Sequence, residues 1–365
     1  MIHTQGNRTY SLLLLITIMF FSIAISLVIS GCGDDEEPEE DSDKEKKEVD
    51  LEIDEDEDEG INLDQIECIY CGQEEGGEYE VFDRPFIFTY GNSSNERPHS
   101  GISKACVVYE IRVEGRKTRL LALFNKEIPG DIGNIRSLRL DFIPIIREHD
   151  AYYVHVGGHQ PALNRIGSLG VANLNEFSHP GFRRADHRGA PYNVYTSIPD
   201  LVESADSQGY RDESDREKFL EFRDEENIYG GEQAEKLKLS YGSNFNVVEY
   251  EYHEKEGKYA RYVDGERYTD IEQDEDIMVS NIIIQFADSR VVDDVGRRDI
   301  DIVGSGQGKY VSKGEVIPIS WEKESETGET VYYDEDGEPI KLYPGQTWVN
   351  IIEENNVSFG EEEEK

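Results

Sequence analysis

The chain has 365 residues and 79 acidic against 37 basic side chains, a formal net charge of −42. So acidic a protein repels the phosphate backbone, which excludes nucleic acid as a partner. The excess is consistent with a saline habitat, where surface carboxylates hold water, rather than with any particular activity.

Residues 1–31 read as a lipoprotein signal peptide. Met1 to Tyr10 is polar with Arg8 as its only formal side-chain charge, and Leu12 to Ile29 is almost wholly apolar. The run ends in Ile29-Ser30-Gly31-Cys32, the form of a bacterial lipobox, in which the peptidase cuts before a diacylglyceryl cysteine. A run of about 18 apolar residues is also long enough to remain as a membrane-spanning helix. Both readings export the rest of the chain. Lipidation at Cys32 anchors it with two acyl chains, enough for stable attachment. The expected partner is therefore the lipid bilayer, and the expected location is outside the cytoplasm on the cell membrane.

Residues 33–60 carry 18 Asp or Glu against three Lys, a net of −15 that leaves −28 for residues 61–365. With no aromatics there, the segment cannot bury enough surface to fold. We expect a self-repelling tether over 32–75 that acts as a spacer. Cys68 and Cys71 sit beside it in a C-x-x-C pair without a second pair at zinc-site spacing, which favours a local disulfide or two idle thiols. Cys106, within an apolar strand, reads as a small buried hydrophobe.

Two domains fit the remainder. The predicted boundary is the polar stretch Glu203 to Glu235, with an amphipathic helix around Arg216 to Arg223. Before it, over 76–225, strands are predicted at Pro85–Tyr90, Ala105–Val113, Arg119–Phe124 and Ala151–Val156. Leu140–His149 has helical spacing, with Pro144 making a helix start late or bend. After it, over 240–355, the pattern is mostly β. Strands are predicted at Val247–Tyr252 and Asn281–Phe286, with hairpin turns at Asp264-Gly265 and Asp336-Gly337. The fold class is α+β, a mixed α/β domain followed by a mostly β domain.

Residues 97–188 reverse the charge, with 14 Lys or Arg and nine Asp or Glu. Arginine's planar fork suits bidentate binding of carboxylate or phosphate. Arg136 and Arg139, three apart, converge on a helix or loop but diverge on a strand. The Gly157-Gly158 turn would let backbone N–H groups approach a ligand. The competing explanation is that these arginines pair with acids of the same fold. His149, His155, His159, His179 and His187 fall close together, but their spacing matches no known metal site, and no metal or cofactor is expected.

These residues also carry a resemblance. Arg97-Pro-His-Ser-Gly-Ile-Ser-Lys-Ala-Cys-Val-Val-Tyr-Glu110 resembles the signature R-P-x-S-G-L-S-x-A-D-V-V-Y-E of the YerB-like lipoproteins, a bacterial domain-of-unknown-function family. Thr118 to Ala122, Gly133 to Arg139, His155 to His159 and Pro191 to Ser197 resemble further motifs of that family, in order. So do Asp299 to Gly306, Trp321, Tyr333 to Gly337 and Pro344 to Trp348. The resemblance covers about residues 80–350 and implies a two-domain lipoprotein with no established activity. Cys106 stands where the family has Asp, Asn134 for Pro, His159 for Ser and Tyr192 for His.

The candidate ligand-binding set is Arg97, Ser100, Glu110, Arg119, Arg136, Ser137, Arg139, His155, Gly157, Gly158 and Asn193. The leading reading is a non-enzymatic, membrane-anchored binding protein for an anionic wall polymer, a phosphate group or an envelope protein partner. The alternative is a cell-envelope hydrolase or transferase, with His155 as general base, Ser100 or Ser137 as nucleophile and the glycine turn as oxyanion donor.

Overall fold

β-Branched and aromatic runs build a long mixed sheet that is buried on both faces. The structure, a computed structural model, describes residues 66–75, 81–216, 220–224, 228–242 and 245–360. The expected signal peptide, Cys32 and the acidic run 33–60 lie outside them. The main strands are β1 (Val81–Gly91), β2 (Val107–Arg112), β3 (Thr118–Lys126), β4 (Tyr152–His155), β5 (Asn173–Asn175), β6 (Lys236–Gly242), β7 (Phe245–His253) and β8 (Lys258–Val263). They continue with β9 (Asn281–Phe286), β10 (Gly304–Ser312), β11 (Glu315–Lys323) and β12 (Thr347–Ile352). Three short helices are α1 (Ile143–Glu148), α2 (Gln160–Ser168) and α3 (Ile198–Ser207). Strands thus dominate, and the helical share is smaller than the predicted mixture. No described helix is long and apolar enough to cross a membrane.

The large sheet runs β11-β10-β9-β12-β2-β3-β1-β4-β5. It crosses the predicted boundary. β12 lies between β9 and β2 and is parallel to both, with Trp348 opposite Ile282 on one side and Val108 on the other. Because side chains alternate along a strand, the sheet separates two cores. Phe86, Phe88, Val108, Leu120, Ala122, Phe124, Ile282 and Trp348 face one. Ile87, Val107, Tyr109, Leu121, Leu123, Ile283 and Val349 face the other. Strands buried on both faces read as continuous apolar runs, which explains why RLLALF carried no alternation.

β6, β7 and β8 form a second antiparallel sheet, whose Leu237, Leu239, Val248, Tyr250 and Tyr259 share the first core. The turn at Asp264-Gly265 closes β8 onto Glu266–Arg267 as predicted, with Val263 opposite Glu266 and both turn residues at positive φ. Pro144 sits in the first turn of α1, preceded by a 3-10 turn at Leu140–Phe142, so the helix starts late.

Two expectations fail. Residues 66–75, assigned to the tether, are folded. Ile66–Glu67 pairs with Glu74–Glu75, and Cys68, Tyr70 and Cys71 are buried in the second core. The apolar content of these few residues is enough to dock on a sheet already present, although it could not fold alone. The amphipathic helix around Arg216–Arg223 does not form among its described residues. Phe222 instead makes a parallel β-bridge with Leu342 and packs into the second core.

Candidate functional site

The matched motifs of the first half meet around residues 132–139. β1 and β4 pair in parallel through Phe88 and Val154, then part. In the gap, Arg136 N–H donates to Thr89 O (2.7 Å), and Val156 N–H donates to Arg136 O (3.0 Å). The segment is held on its other side by Ser100, whose N–H donates to Gly133 O (2.7 Å), and by Val194, whose carbonyl accepts from Ile135 N–H (2.8 Å). A small antiparallel sheet of Ile132–Gly133, Val194–Thr196 and Phe182–Arg184 completes the layer. This lies beyond the carboxyl ends of the parallel strands β1, β4 and β5, the end where open sheets of this kind leave room for ligands.

Arg119, Arg136 and Arg139 come together in sequence but not in purpose. Arg139 binds Glu114 through Nε (2.9 Å) and Nη2 (2.5 Å) in a bidentate pair, and Arg119 Nη2 lies 3.8 Å from the same carboxylate. Arg119 also donates to the Ser137 carbonyl, which is how Ser137 takes part. Burial would raise the Glu114 carboxyl, but the Arg139 hydrogen bond and the charges of Arg139 and Arg119 outweigh it and hold the group at about 2. Arg119 and Arg139 are thus committed to an acid of their own fold. Arg136 differs. Its Nε lies 2.7 Å from Glu96, its Nη1 donates to Pro191 O (2.6 Å), and its guanidinium sits 5.1 Å from the Tyr192 ring centre.

Glu110 is not at a site. It and Arg261 are both fully buried and form an ion pair through Arg261 Nη2. Asn92 Nδ2 (2.9 Å) and Thr118 Oγ1 (2.7 Å) donate to the other carboxylate oxygen. Arg261 lies 4.0 Å over the Trp348 ring and donates to Tyr250 Oη. Arg97 pairs with Asp264 (2.6 Å), again a residue of the second half. Ser100 is buried beneath Tyr90, whose hydroxyl donates to its carbonyl (3.1 Å). Asn193 accepts from Arg184 Nη1 (3.1 Å).

The hydrolase arrangement does not assemble. His155 is buried, stacked on Tyr153, and both its ring nitrogens are occupied. Nδ1 faces the Gly157 carbonyl (2.7 Å), and Nε2 faces the Asn173 side chain. Burial keeps its pKa below the usual histidine value, so the ring is neutral, but neither nitrogen meets a serine oxygen. The glycine turn offers no oxyanion donor at Gly157, because its N–H is taken by Asn175 Oδ1 (2.9 Å). Gly157 is there for its φ of +55°. Gly158 is there for space, since a Cβ would lie 3.0 Å from Leu138 Cβ.

What sequence reasoning missed is the face made by residues 183–195. Arg188 donates to two backbone carbonyls, Asn95 O (3.0 Å) and Pro98 O, and among the described residues it has no carboxylate partner. Arg183 pairs with Asp131 and lies 6.0 Å from the Tyr195 ring centre, and His187 Nε2 is 3.1 Å from Tyr195 Oη. Arg183 and Arg184 side chains are 46% and 44% exposed. Arg136 thus lies over Tyr192 and Arg183 over the buried Tyr195, while Arg184 pairs with Glu176 (2.7 Å). Arg188 was inside the counted basic stretch, but spacing alone did not distinguish it.

Comparison with known proteins gives one consistent result. Residues 71–211 match the N-terminal domain, and residues 237–349 the C-terminal domain, of a family described as a protein of unknown function, DUF3048. The chain is 32% identical over 273 residues to "Putative lipoprotein YerB" of Bacillus subtilis (strain 168), covering 74% of this chain and 81% of that protein. It superposes on the crystal structure of YerB from Bacillus subtilis with a TM-score of 0.73 and 31% identity, over 81% of this chain and all of that one. With both halves matched in order and the fold shared, the chain belongs to the DUF3048 family of YerB-like proteins.

Proposed function

We propose that the chain is a lipoprotein held outside the cytoplasm by Cys32 and that it binds an anionic envelope ligand on the Arg136, Arg183, Arg184, Arg188 and Tyr192 face. The anchoring rests on the lipobox and on the name of the Bacillus subtilis relative. The binding reading rests on one observation. In a chain of net −42, the Arg188 guanidinium has carbonyl partners and no carboxylate among the described residues. An arginine whose charge is not neutralised by its own fold retains most of its attraction for an added anion. Arg136, Arg183 and Arg184 are paired with Glu96, Asp131 and Glu176, so Arg188 supplies the charge on this face that has no carboxylate partner among the described residues, and charges more than about 10 Å away are largely screened at 0.1 M salt. Tyr192 adds a flat face against which the Arg136 guanidinium is already held. The ligand class is phosphate-bearing polymer rather than a small molecule, because the basic groups are spread over a surface.

The test uses the full-length chain in detergent with inorganic polyphosphate as probe. Wild type binds, and binding weakens as salt rises. Arg188→Ala and Arg136→Ala each lose affinity, about tenfold for one charge-assisted contact. Equal binding by wild type and both variants across the salt range refutes the reading.

A further inference from the structure

Cys68, Cys71 and Cys106 come from two distant parts of the sequence and meet beneath the same surface. Cys68 and Cys71 flank a tight turn in which Gly72 N–H donates to Cys68 O (2.7 Å), Gly72 having a φ of +60°. Cys106 immediately precedes β2 and is fixed by hydrogen bonds on both sides, its N–H to Leu123 O (2.8 Å) and its carbonyl from Thr347 N–H (3.0 Å). The three Sγ atoms all lie within 4.8 Å of one another, and none of them is in a disulfide. All three residues are at most 4% exposed.

The spacing carries chemical information. Cys68 Sγ and Cys106 Sγ are 3.7 Å apart. A disulfide would require about 2.05 Å. Two thiolates on one tetrahedral ion, each with a bond of about 2.3 Å, have sulfurs separated by about 3.8 Å. Cys68 and Cys106 are thus spaced as neighbouring ligands of a single cation, with Cys71 Sγ within 4.8 Å of both. Asn125 Oδ1 marks the same point from β3, lying 3.1 Å from Cys106 Sγ and 3.4 Å from Cys68 Sγ. A cavity of about 670 Å³, lined by Cys71, Cys106, Gln73, Lys126, His253 and Met278 among others, opens beside the trio.

We propose that Cys68, Cys71 and Cys106 form a three-thiolate site for a soft d10 cation, represented by Zn²⁺, whose fourth position opens to the cavity. Thiolates are the ligands such ions prefer, and the side-chain oxygen in contact with Cys68 and Cys106 is the neutral amide oxygen of Asn125. Three protein ligands with one open position distinguish an exchange or reactive site from a closed structural one. Hydrogen bonds from Cys68 and Cys71, then burial, push Cys106 well above its ordinary value. Binding therefore releases protons, and affinity falls as pH is lowered. The ion would also tie the hairpin at 66–75 to the start of β2.

The full-length chain, reduced and stripped of metal, is titrated with Zn²⁺ against a chromophoric chelator and separately with Cd²⁺ while thiolate-to-metal absorption is followed. One equivalent binds at micromolar concentration or below, the Cd²⁺ absorption saturates at one equivalent, and both effects weaken on acidification. Cys106→Ser and Cys68→Ser lose the tight equivalent, and their metal-free melting curves report whether they remain folded. Cys32 is common to all variants and cancels. Failure of the wild-type chain to bind either ion overturns the proposal, a result independent of how any variant folds. So does equal chelation by Cys106→Ser, and so does a Cys68–Cys106 disulfide in the purified chain.

Discussion

Replacing Glu110 by Gln keeps its size and leaves the buried Arg261 charged without its carboxylate partner. Arg261 is fully buried, and its Nε already has no hydrogen-bond partner. The substitution turns one carboxylate oxygen, which accepts from Arg261 Nη2, into an amide nitrogen that repels it. The opposite oxygen keeps Asn92 and Thr118. Removing one partner of such a pair costs about 3–5 kcal/mol, because the remaining charge stays desolvated. At roughly 2–4 °C per kcal/mol for a domain of this class, Tm falls on the order of 10 °C. The double variant Glu110→Leu with Arg261→Met removes both charges while keeping comparable volume, and it should recover most of that loss. Equilibrium denaturation of wild type, the single variants Glu110→Leu and Arg261→Met, and the double variant that combines them gives the coupling free energy directly. A single-variant cost below about 1 kcal/mol, or a double variant that simply adds the two single costs, refutes the assignment of Glu110 to the architecture.

Three further expectations follow from the same contacts. Glu114→Gln should alter acid stability. The carboxyl is held at about 2, below the value of about 4.3 in an unfolded chain, so its stabilisation is present above pH 4.3 and lost as pH falls towards 2. Melts between pH 5 and 2 should show a smaller acid-dependent loss in the variant, and an unchanged profile argues against the Arg139 pair. His99 behaves oppositely to a paired histidine. Burial, against the opposing Gly91 carbonyl, lowers it to about 3, so the unfolded chain takes up the proton first and stability declines as pH falls from 6.5 towards 3. His99→Gln should flatten that slope by up to about 1.4 kcal/mol per pH unit, and an equally steep slope contradicts it. Gly133→Ala should destabilise by about 1–3 kcal/mol, because its Cβ would lie 2.5 Å from the buried Tyr195 ring. Thermal melting checks it, and an alanine variant as stable as wild type means the ring can move aside.

Much of the strand content was legible because it depends on local pattern. Asn281–Phe286 appears with the predicted limits, and Asp264-Gly265 needs no tertiary context to choose its turn. The long-range pairings were not legible. Nothing in the pattern of Thr347–Ile352 says that it lies beside residues 107–112, since parallel partners are chosen by three-dimensional closure rather than by a turn. The candidate site divided for the same reason. A charge count found the basic stretch, but only the fold reveals that Glu114 and Glu110 neutralise Arg139 and Arg261 and that Arg188 meets carbonyls. The cysteine trio was hidden because Cys106 is 35 residues beyond Cys71, and a buried strand cysteine looks the same whether its neighbours are carbon or sulfur.

The position of β12 has a consequence for the order in which the molecule can be made. A chain emerging from its N-terminus exposes the edge of β2 until the strand that covers it arrives, roughly 240 residues later. Contacts of such sequence separation form slowly, and an uncovered apolar edge invites pairing with other chains. β9 waits for the same strand on its other side. Loss of Thr347–Ile352 would therefore open the middle of the sheet rather than fray its margin, so six residues late in the sequence act as the keystone of the first half.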